Sequence, residues 1–283
     1  MRSTMRRRLG ALAVAAGLAI GLAACSSNEP PNPNPAPVPG AALQKLSIGI
    51  PFDNPGIGTK NGTSYSGFDV ETAIYVAKAL GVPENAITWK ESTGANREKM
   101  LTSGEVDLVV STFSITDQRK ATVDFAGPYF VAHQDLLVRR NEEEITGPDT
   151  LNGRTLCTVP GTTSADNVRS RYLGRINLKE LPHYSDCVDA LAKSEVDAVT
   201  TDDVILAGFA AEPQYRGPLK LVGKGFSDET YGIGVKKGNK ALVDQVNAAL
   251  KQYIDDGSWK RALNITVAPS GYSIPNPPAV GTA

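Results

Sequence analysis

Hydroxyl groups and a guanidinium are concentrated in the stretch from Asp107 to Phe130. Leu108–Val110 predicts a short apolar strand. The turn after it holds four hydroxyl residues: Ser111, Thr112, Ser114 and Thr116. A short helical segment then opens at Thr116 and carries Arg119. Free backbone N–H groups at a helix start, hydroxyl donors and a guanidinium fork together suit the binding of a small carboxylate. The alternative is an ordinary helix cap, because Ser and Thr are common at that position.

Net charge and motif content remove several classes of function. The formal net charge is −1 and the part after the N-terminal segment carries no basic stripe, so no nucleic-acid partner is predicted. The chain has three cysteines and two histidines but neither a Cys-x-x-Cys motif nor a Cys/His cluster, so no metal and no cofactor are predicted. It also lacks the Gly-x-Ser-x-Gly and phosphate-loop motifs of common enzymes.

The N-terminus has the three parts of a secretory signal. Arg2 and Arg6 to Arg8 form a charged region, Leu9 to Ala24 is apolar, and Leu-Ala-Ala-Cys closes it at Cys25. The apolar run of about 16 residues is shorter than the ~20 that span a bilayer, which favours a cleaved signal peptide over residues 1–24. The ending resembles a bacterial lipobox, so Cys25 is the predicted lipidation site. The alternative is an ordinary signal peptide that ends by chance at a cysteine.

Two segments have compositions that cannot form a packed core. Residues 26–40 contain six prolines and no apolar residue larger than Val38. We therefore predict that residues 25–42 are a lipidated cysteine followed by an extended tether. The Pro- and Gly-rich residues 269–283 predict a flexible tail.

The two remaining cysteines indicate an oxidising compartment. With Cys25 lipidated, Cys157 and Cys187 form an even pair in an exported domain, and the pair predicts a disulfide. Two separately buried free thiols are the alternative.

Apolar periodicity between the two segments predicts alternating strands and helices, hence a mostly parallel α/β sheet in each of two lobes. The first lobe takes residues 43–133 and 229–268, and the second takes residues 134–228. Extended crossings near 130–139 and 228–236 join them. Ligands bind at the carboxyl ends of strands in such sheets, so two facing lobes predict a cleft.

Five motifs in this order resemble the family 3 extracellular solute-binding proteins of amino-acid ABC importers. They are Gly67-Phe68-Asp69-Val70, Ser114-Ile115-Thr116-x-x-Arg119, Asp124-Phe125-Ala126-Gly127-Pro128-Tyr129, Pro160-Gly161-Thr162-Thr163-Ser164 and Thr201-Asp202-Asp203. The resemblance covers roughly residues 43–268 and is strongest to actinobacterial glutamate-binding lipoproteins. It implies the type II periplasmic-binding-protein fold, with two α/β lobes joined by two hinge crossings.

The resemblance also implies a role for each matching residue. Arg119 would bind the ligand α-carboxylate, and Asp202 would bind the α-ammonium. Arg97 would bind the distal carboxylate of an acidic amino acid. Six further residues complete the predicted site: Phe52 against the aliphatic part, Thr112, Ser114, Thr162 and Thr163 around the α-carboxylate, and Tyr184 near the side chain.

Three of these residues have a simpler structural interpretation. Arg97 could form a surface ion pair with an acidic residue of its own helix. Asp202 could be only a helix N-cap, and Phe52 could belong to the core.

The implied function is capture of an acidic amino acid, glutamate first, by a monomer that is lipid-anchored outside the cell membrane of a Gram-positive, actinobacterial cell. The implied partners are the amino acid and the permease subunits of an ABC importer. Glutamine, aspartate or asparagine are alternative ligands, and a sensor role is an alternative to transport. An exported dehydratase uses the same fold and is the enzymatic alternative.

Overall fold

The computed structural model describes residues 35–40, 43–172 and 174–283. The predicted signal peptide, Cys25 and most of the predicted tether lie outside the described residues. Pro31–Ala283 groups into one compact unit. Within the described part, no helix has the length and apolar character needed to cross a bilayer.

Strands and helices alternate along most of the chain, as the apolar periodicity predicts. The strands are β1 (Leu46–Ile50), β2 (Asp53–Asn54), β3 (Gly58–Asn61), β4 (Ser64–Ser66), β5 (Ile87–Glu91), β6 (Leu108–Val109), β7 (Val123–Ala132), β8 (Gln134–Arg139), β9 (Thr155–Thr158), β10 (Asn177–Glu180), β11 (Ala198–Asp202), β12 (Leu219–Leu221) and β13 (Glu229–Lys236). The helices are α1 (Phe68–Ala79), α2 (Arg97–Ser103), α3 (Asp117–Lys120), α4 (Thr163–Tyr172), α5 (Tyr184–Ala192), α6 (Asp203–Ala211), α7 (Lys240–Asp255) and α8 (Ser258–Thr266).

These strands form two five-stranded sheets of similar design and one small antiparallel sheet. The first sheet has the order β5-β1-β6-β13-β7, and the second has the order β10-β9-β11-β8-β12. In each sheet three strands are parallel and the other two are antiparallel to their neighbours. We call the parts of the chain that carry the first and second sheets the first half and the second half.

The chain passes between the halves at two places. Only His133 separates β7 in the first sheet from β8 in the second, and residues 222–228 return the chain from β12 to β13. The first place lies within the predicted crossing near 130–139, whereas the second comes just before the predicted crossing near 228–236, most of which forms β13 of the first sheet. Parallel strands with crossover helices, paired with two antiparallel crossing strands, confirm the predicted α/β fold class.

Helix α8 was missed by the sequence reading, although its Trp259 is an anchor of the core. Trp259 is buried, its ring lies 6.4 Å from that of Phe68, and its indole N–H donates to the Tyr129 carbonyl at 2.7 Å. Gly257, in the left-handed conformation with φ 78°, separates this helix from α7. The periodicity of residues 241–254 predicts α7, but no helix was predicted for the residues of α8.

The segments at both ends of the folded part make contacts that their composition does not predict. Val38 is buried, and its backbone N–H donates to the Ala79 carbonyl at 3.0 Å. In the C-terminal segment the Tyr272 hydroxyl donates to Asp203 Oδ1 at 3.1 Å, and the Gly281 N–H donates to the Gly127 carbonyl at 2.7 Å. Proline and glycine make a segment hard to fold alone, but they do not prevent it from packing against a finished surface.

The predicted disulfide is confirmed. Cys157 in β9 is bonded to Cys187 in α5, and their Cα atoms lie 5.6 Å apart. Both cysteines are fully buried. The bond ties β9, which leads into the turn before α4, to the helix that begins at Tyr184.

Replacing both cysteines with alanine should lower the free energy of unfolding by about 3–4 kcal/mol, because the bond closes a long loop in the unfolded chain. The two positions are separated by 30 residues. Chemical denaturation of both proteins, carried out once without and once with reductant, measures this difference. The difference should shrink under reducing conditions, and equal stability without reductant would contradict the assigned role.

Candidate functional site

A cavity lies between the two sheets, at the carboxyl ends of their parallel strands. The turns after β1, β5, β6, β9 and β10 and the end of β11 supply most of its wall. This position, at the carboxyl ends of parallel strands, is where ligands bind in open α/β sheets.

Arg97 lines this cavity and is only 4% exposed. Its Nη1 donates to the Ser111 carbonyl at 3.1 Å and its Nη2 to the Gly161 carbonyl at 3.3 Å, while Nε has no partner. Burial, and next the nearby charge of Arg119, lower the pKa of Arg97 to about 9, so it stays charged at neutral pH. The surface ion pair considered for Arg97 is therefore wrong.

Arg119 lies beside Arg97 but behind the cavity wall. Its Nη1 donates to the Ser114 carbonyl at 2.7 Å and its Nη2 to the Gly161 carbonyl at 3.1 Å. Glu98 lies 3.7 Å from its Nε. Two buried guanidinium groups, one from each of two helices, thus converge on one neutral carbonyl oxygen, which compensates neither charge.

Asp202 is the buried acidic residue that the second half places on the cavity wall. It ends β11, is 5% exposed and lines the cavity. Its Oδ2 accepts a hydrogen bond from the Tyr231 hydroxyl at 2.5 Å, and its Oδ1 has no partner. Burial, followed by the charge of Glu229, raises the pKa of Asp202 to about 8.

The helix-cap interpretation fits the next residue better than Asp202. The Asp202 side chain makes no capping hydrogen bond to α6. Asp203 Oδ1 instead accepts from its own helix at Val204 N, 2.8 Å, and from His133 N, 3.1 Å. Asp202 is therefore free to face the cavity.

Buried polar side-chain atoms without a hydrogen-bond partner are concentrated at this site. In the described residues there are four such atoms: Asn54 Oδ1, Ser92 Oγ, Arg97 Nε and Asp202 Oδ1. All four residues line the cavity. Because an unpaired buried polar group costs roughly 1–3 kcal/mol, a cavity that gathers them is suited to a polar ligand that satisfies them.

The hydroxyls of the predicted site are engaged within the protein. Ser114 Oγ and Thr163 Oγ1 both donate to Glu229 Oε2, at 2.5 and 2.9 Å. Thr162 Oγ1 donates to the Val159 carbonyl and accepts from the Ala165 N–H, and so caps α4. All three line the cavity, but a hydroxyl has one proton, so in this structure their side chains have no proton left to donate to a ligand.

Thr112 adopts an unusual backbone conformation with φ 41° on the cavity wall. Its N–H donates to Asp69 Oδ2 at 2.9 Å, and the Tyr129 hydroxyl donates to Asp69 Oδ1 at 2.7 Å. Burial raises the pKa of Asp69 to about 7. This carboxyl group of the Gly-Phe-Asp-Val motif therefore holds the strained turn in place.

Phe52 and Tyr184 form the less polar part of the wall. Phe52 is half-buried, its ring lies 5.4 Å from that of Tyr65, and Lys60 Nζ lies 5.0 Å from the ring centroid. Tyr184 is buried at the start of α5. Both line the cavity, so Phe52 is not simply a core residue.

Comparison with known proteins identifies the family. The family model described as bacterial extracellular solute-binding proteins, family 3, matches residues 46–265. The chain belongs to this family. Glutamate-binding protein GluB of Corynebacterium glutamicum is 39% identical over 270 residues, which cover 90% of this chain and 89% of that protein. The glutamine-binding protein GlnH of Bacillus subtilis is 37% identical over 217 residues, which cover 76% of this chain and 78% of that protein.

Solved structures of binding proteins share the family 3 fold seen here. An ancestral arginine-binding protein bound to glutamine has a TM-score of 0.74 and 30% identity, and the match covers 80% of this chain and 98% of that chain. The family 3 membership predicted from the five motifs and the type II fold are thus confirmed. The named relatives bind solutes, and the enzymatic alternative is set aside.

Two polar residues of the cavity wall and one buried carboxyl group beside it were not predicted from the sequence. Asn54 and Ser92 carry two of the four unpaired atoms. Glu229, which is 4% exposed, accepts from Ser114, Thr163, Gln134 Nε2 and Ser227 Oγ. Ser92 directly follows the parallel strand β5, a position that could have indicated it. Asn54 ends the short antiparallel strand β2, and nothing around Glu229 in the sequence marks it as buried.

Proposed function

We propose that this protein captures an acidic amino acid, with glutamate as the first choice, and delivers it to an ABC importer. The convergence of Arg97 and Arg119 on the single Gly161 carbonyl carries this proposal. Asp53 and Glu91 also line the cavity but already contact Ser185 and His183. The two buried guanidinium groups and the buried carboxyl group of Asp202 are left to pair with a ligand, which favours one with two carboxylates and one ammonium. The likeness to the Corynebacterium glutamate-binding protein supports the same choice.

The assignment of ligand groups follows the charges on the wall. The α-ammonium is bound by Asp202, whose Oδ1 lacks a partner. Arg119, beside the Ser114 turn, binds the α-carboxylate. Arg97, whose Nε lacks a partner, binds the distal carboxylate. Phe52 packs against the aliphatic part, Tyr184 lies near the side-chain end, and Thr112, Ser114, Thr162 and Thr163 shape the α-carboxylate end through their backbone.

Binding requires that the cleft opens. We assign residues 43–133 and 229–268 to one lobe and residues 134–228 to the other, with hinge motion at the two crossings. In the open form the Gly161 carbonyl moves away from both arginines, whose N–H groups then face the cleft. Closure removes water from the ion pairs and strengthens them.

Delivery to a transporter needs the protein to stay near the membrane. We propose a lipid on Cys25, a tether over residues 25–42, and recognition of the closed monomer by permease subunits on the outer face of the membrane. Lipid chains gain about 0.8 kcal/mol per buried methylene, so more than one acyl chain gives stable anchoring. Ligand sensing remains the alternative use of the same closed form.

Glutamine is the second candidate ligand. Only one of the two guanidinium groups lines the cavity itself, and a relative from Bacillus subtilis is a glutamine-binding protein. A ligand with a single carboxylate would satisfy Arg97 and Asp202 and leave Arg119 paired with Glu98 and Gly161.

Calorimetric titration distinguishes these ligands. The refolded unit Pro31–Ala283 is titrated with glutamate, aspartate, glutamine and asparagine, because refolding removes any ligand carried through purification. We expect glutamate to bind roughly 10-fold or more tightly than glutamine, since an amide leaves a buried guanidinium imperfectly paired. Tighter binding of glutamine would favour the second candidate, and no binding of any of the four would overturn the proposed function.

A further inference from the structure

The two halves touch backbone to backbone in the cleft between Gly94 and Gly161, next to the two arginines. Gly94 lies in the turn after β5 and Gly161 in the turn before α4. A Cβ atom on Gly94 would lie 2.7 Å from the Pro160 carbonyl oxygen and 2.7 Å from Thr162 Cγ2. A Cβ on Gly161 would lie 2.4 Å from the Gly94 carbonyl oxygen. Contacts this short do not occur in real proteins, so any side chain at either position must push the halves apart.

Two side-chain contacts across the cleft have room to adjust. Asp53 Oδ2 in the first half accepts from the N–H and the hydroxyl of Ser185 in the second, at 3.1 and 3.0 Å. His183 Nε2 lies 3.2 Å from Glu91 Oε1. These contacts are made through side chains, which can rotate as the halves approach, whereas two packed backbones cannot yield.

Both arginines contact the second half at this same point. Arg97 and Arg119 belong to the first half, and the Gly161 carbonyl belongs to the second. The backbone at Gly161 has φ 74°, the left-handed region that favours glycine. The turn therefore presents its carbonyl to the two groups that, in the proposed function, bind the ligand carboxylates.

We propose that Gly94 and Gly161 are positioning residues that form the closure stop of the cleft, and that the Gly161 carbonyl is the acceptor through which both arginines hold the cleft closed. This inference rests on the hinge closure of the proposed function. The two glycines set ligand retention without contacting the ligand: a methyl group at Gly94 leaves the open form intact and prevents full closure.

The test variant is Gly94→Ala, because Gly94 does not have the positive φ that alanine disfavours. Its control is Gly147→Ala, where the backbone is extended and a Cβ meets nothing within 4 Å. Gly161→Ala is the second variant. It is controlled by Gly153→Ala, which has nearly the same φ, 73°, and open space around it. Each control reproduces the backbone effect without the collision.

Two measurements on the unit Pro31–Ala283 test the inference. Stopped-flow kinetics gives the association and dissociation rates of glutamate. Small-angle scattering, without ligand and then with an equimolar mixture of the twenty standard amino acids, reports closure whichever amino acid binds. If the closed fraction falls to about 1%, apparent affinity falls about 100-fold, and most of that change is in the dissociation rate.

We expect Gly94→Ala and Gly161→Ala to lose the ligand-induced compaction that wild type and both controls retain, with melting temperatures of Gly94→Ala and Gly147→Ala alike. Compaction and dissociation equal to wild type in Gly94→Ala would overturn the closure stop. Wild-type compaction with the mixture but not with glutamate alone would count against the proposed ligand. In that case, the compaction of the variants and their controls with the amino-acid mixture would still test whether the two glycines limit closure.

Discussion

Replacing Arg97 with methionine will weaken glutamate binding by roughly 30-fold or more, because removal of one partner from a buried charge pair costs about 2–5 kcal/mol. The affinity for glutamine should fall less, since the glutamine amide makes a weaker bond to the guanidinium. The preference for glutamate over glutamine should therefore narrow in the variant. The glutamate affinity of Arg97→Lys should lie between those of wild type and Arg97→Met, because an ammonium keeps the charge but not the planar fork.

Titration calorimetry of Arg97→Met with both amino acids measures this effect. The control is Arg175→Met, which removes an exposed arginine that does not line the cavity. Circular dichroism of each variant checks the fold. Glutamate affinity that is unchanged in a folded Arg97→Met protein would contradict the assignment of Arg97 to the distal carboxylate.

Replacing Asp202 with asparagine will weaken the binding of every amino acid, again by roughly 30-fold or more, because the α-ammonium loses its charged partner. The preference among side chains should remain, which distinguishes this variant from Arg97→Met. Asp203→Asn is the matched control. Asp203 is the next residue along the chain and keeps a capping oxygen when it is amidated, and it does not line the cavity. Equal losses in the two variants would contradict a direct role for Asp202.

The raised pKa of Asp202 adds a pH signature to this prediction. Burial in the closed cleft raises it to about 8, so Asp202 holds a proton there at pH 6 to 7, and an ammonium bound beside it must displace that proton. Glutamate affinity should therefore increase with pH, by up to about 10-fold per pH unit, until pH 8. The same carboxyl group favours the folded state at low pH, and this contribution is lost as the pH rises from about 4 to about 8.

Calorimetry in buffers of different ionisation enthalpy counts the released protons. We expect about one proton per glutamate at pH 6 to 7 for wild type and for Asp203→Asn. Asp202→Asn should release none. Proton release that persists in Asp202→Asn would assign the titration to another group.

The parts of the fold that repeat a simple pattern could be predicted from the sequence. Apolar runs gave the parallel strands, and the cavity lies where their carboxyl ends meet, as expected. The family resemblance alone could not fix the direction of the Arg97 side chain, since a helix start can shift by a residue. The structure places Arg97 as the first residue of α2, on the cavity wall.

What could not be predicted depends on contacts between distant residues. Glu229 stands in an ordinary strand sequence, yet it accepts hydrogen bonds from Ser114 and Thr163, which lie 115 and 66 positions away. The pattern of hydroxyls and a guanidinium indicated a site for a carboxylate. It could not show that the Ser114 and Thr163 hydroxyls donate to Glu229, which is a carboxylate of the chain itself. The contacts of Tyr272 and Gly281 likewise depend on distant residues that come together only when the rest of the chain has folded.

A crystal structure of the unit Pro31–Ala283 grown with glutamate tests the central claim most directly. The account predicts electron density for glutamate between the two sheets, with its ammonium within hydrogen-bond distance of Asp202 Oδ1. Its distal carboxylate should lie against Arg97 and its α-carboxylate against Arg119. Glutamate bound elsewhere, or bound in the cavity with its distal carboxylate away from both guanidinium groups, would contradict the account.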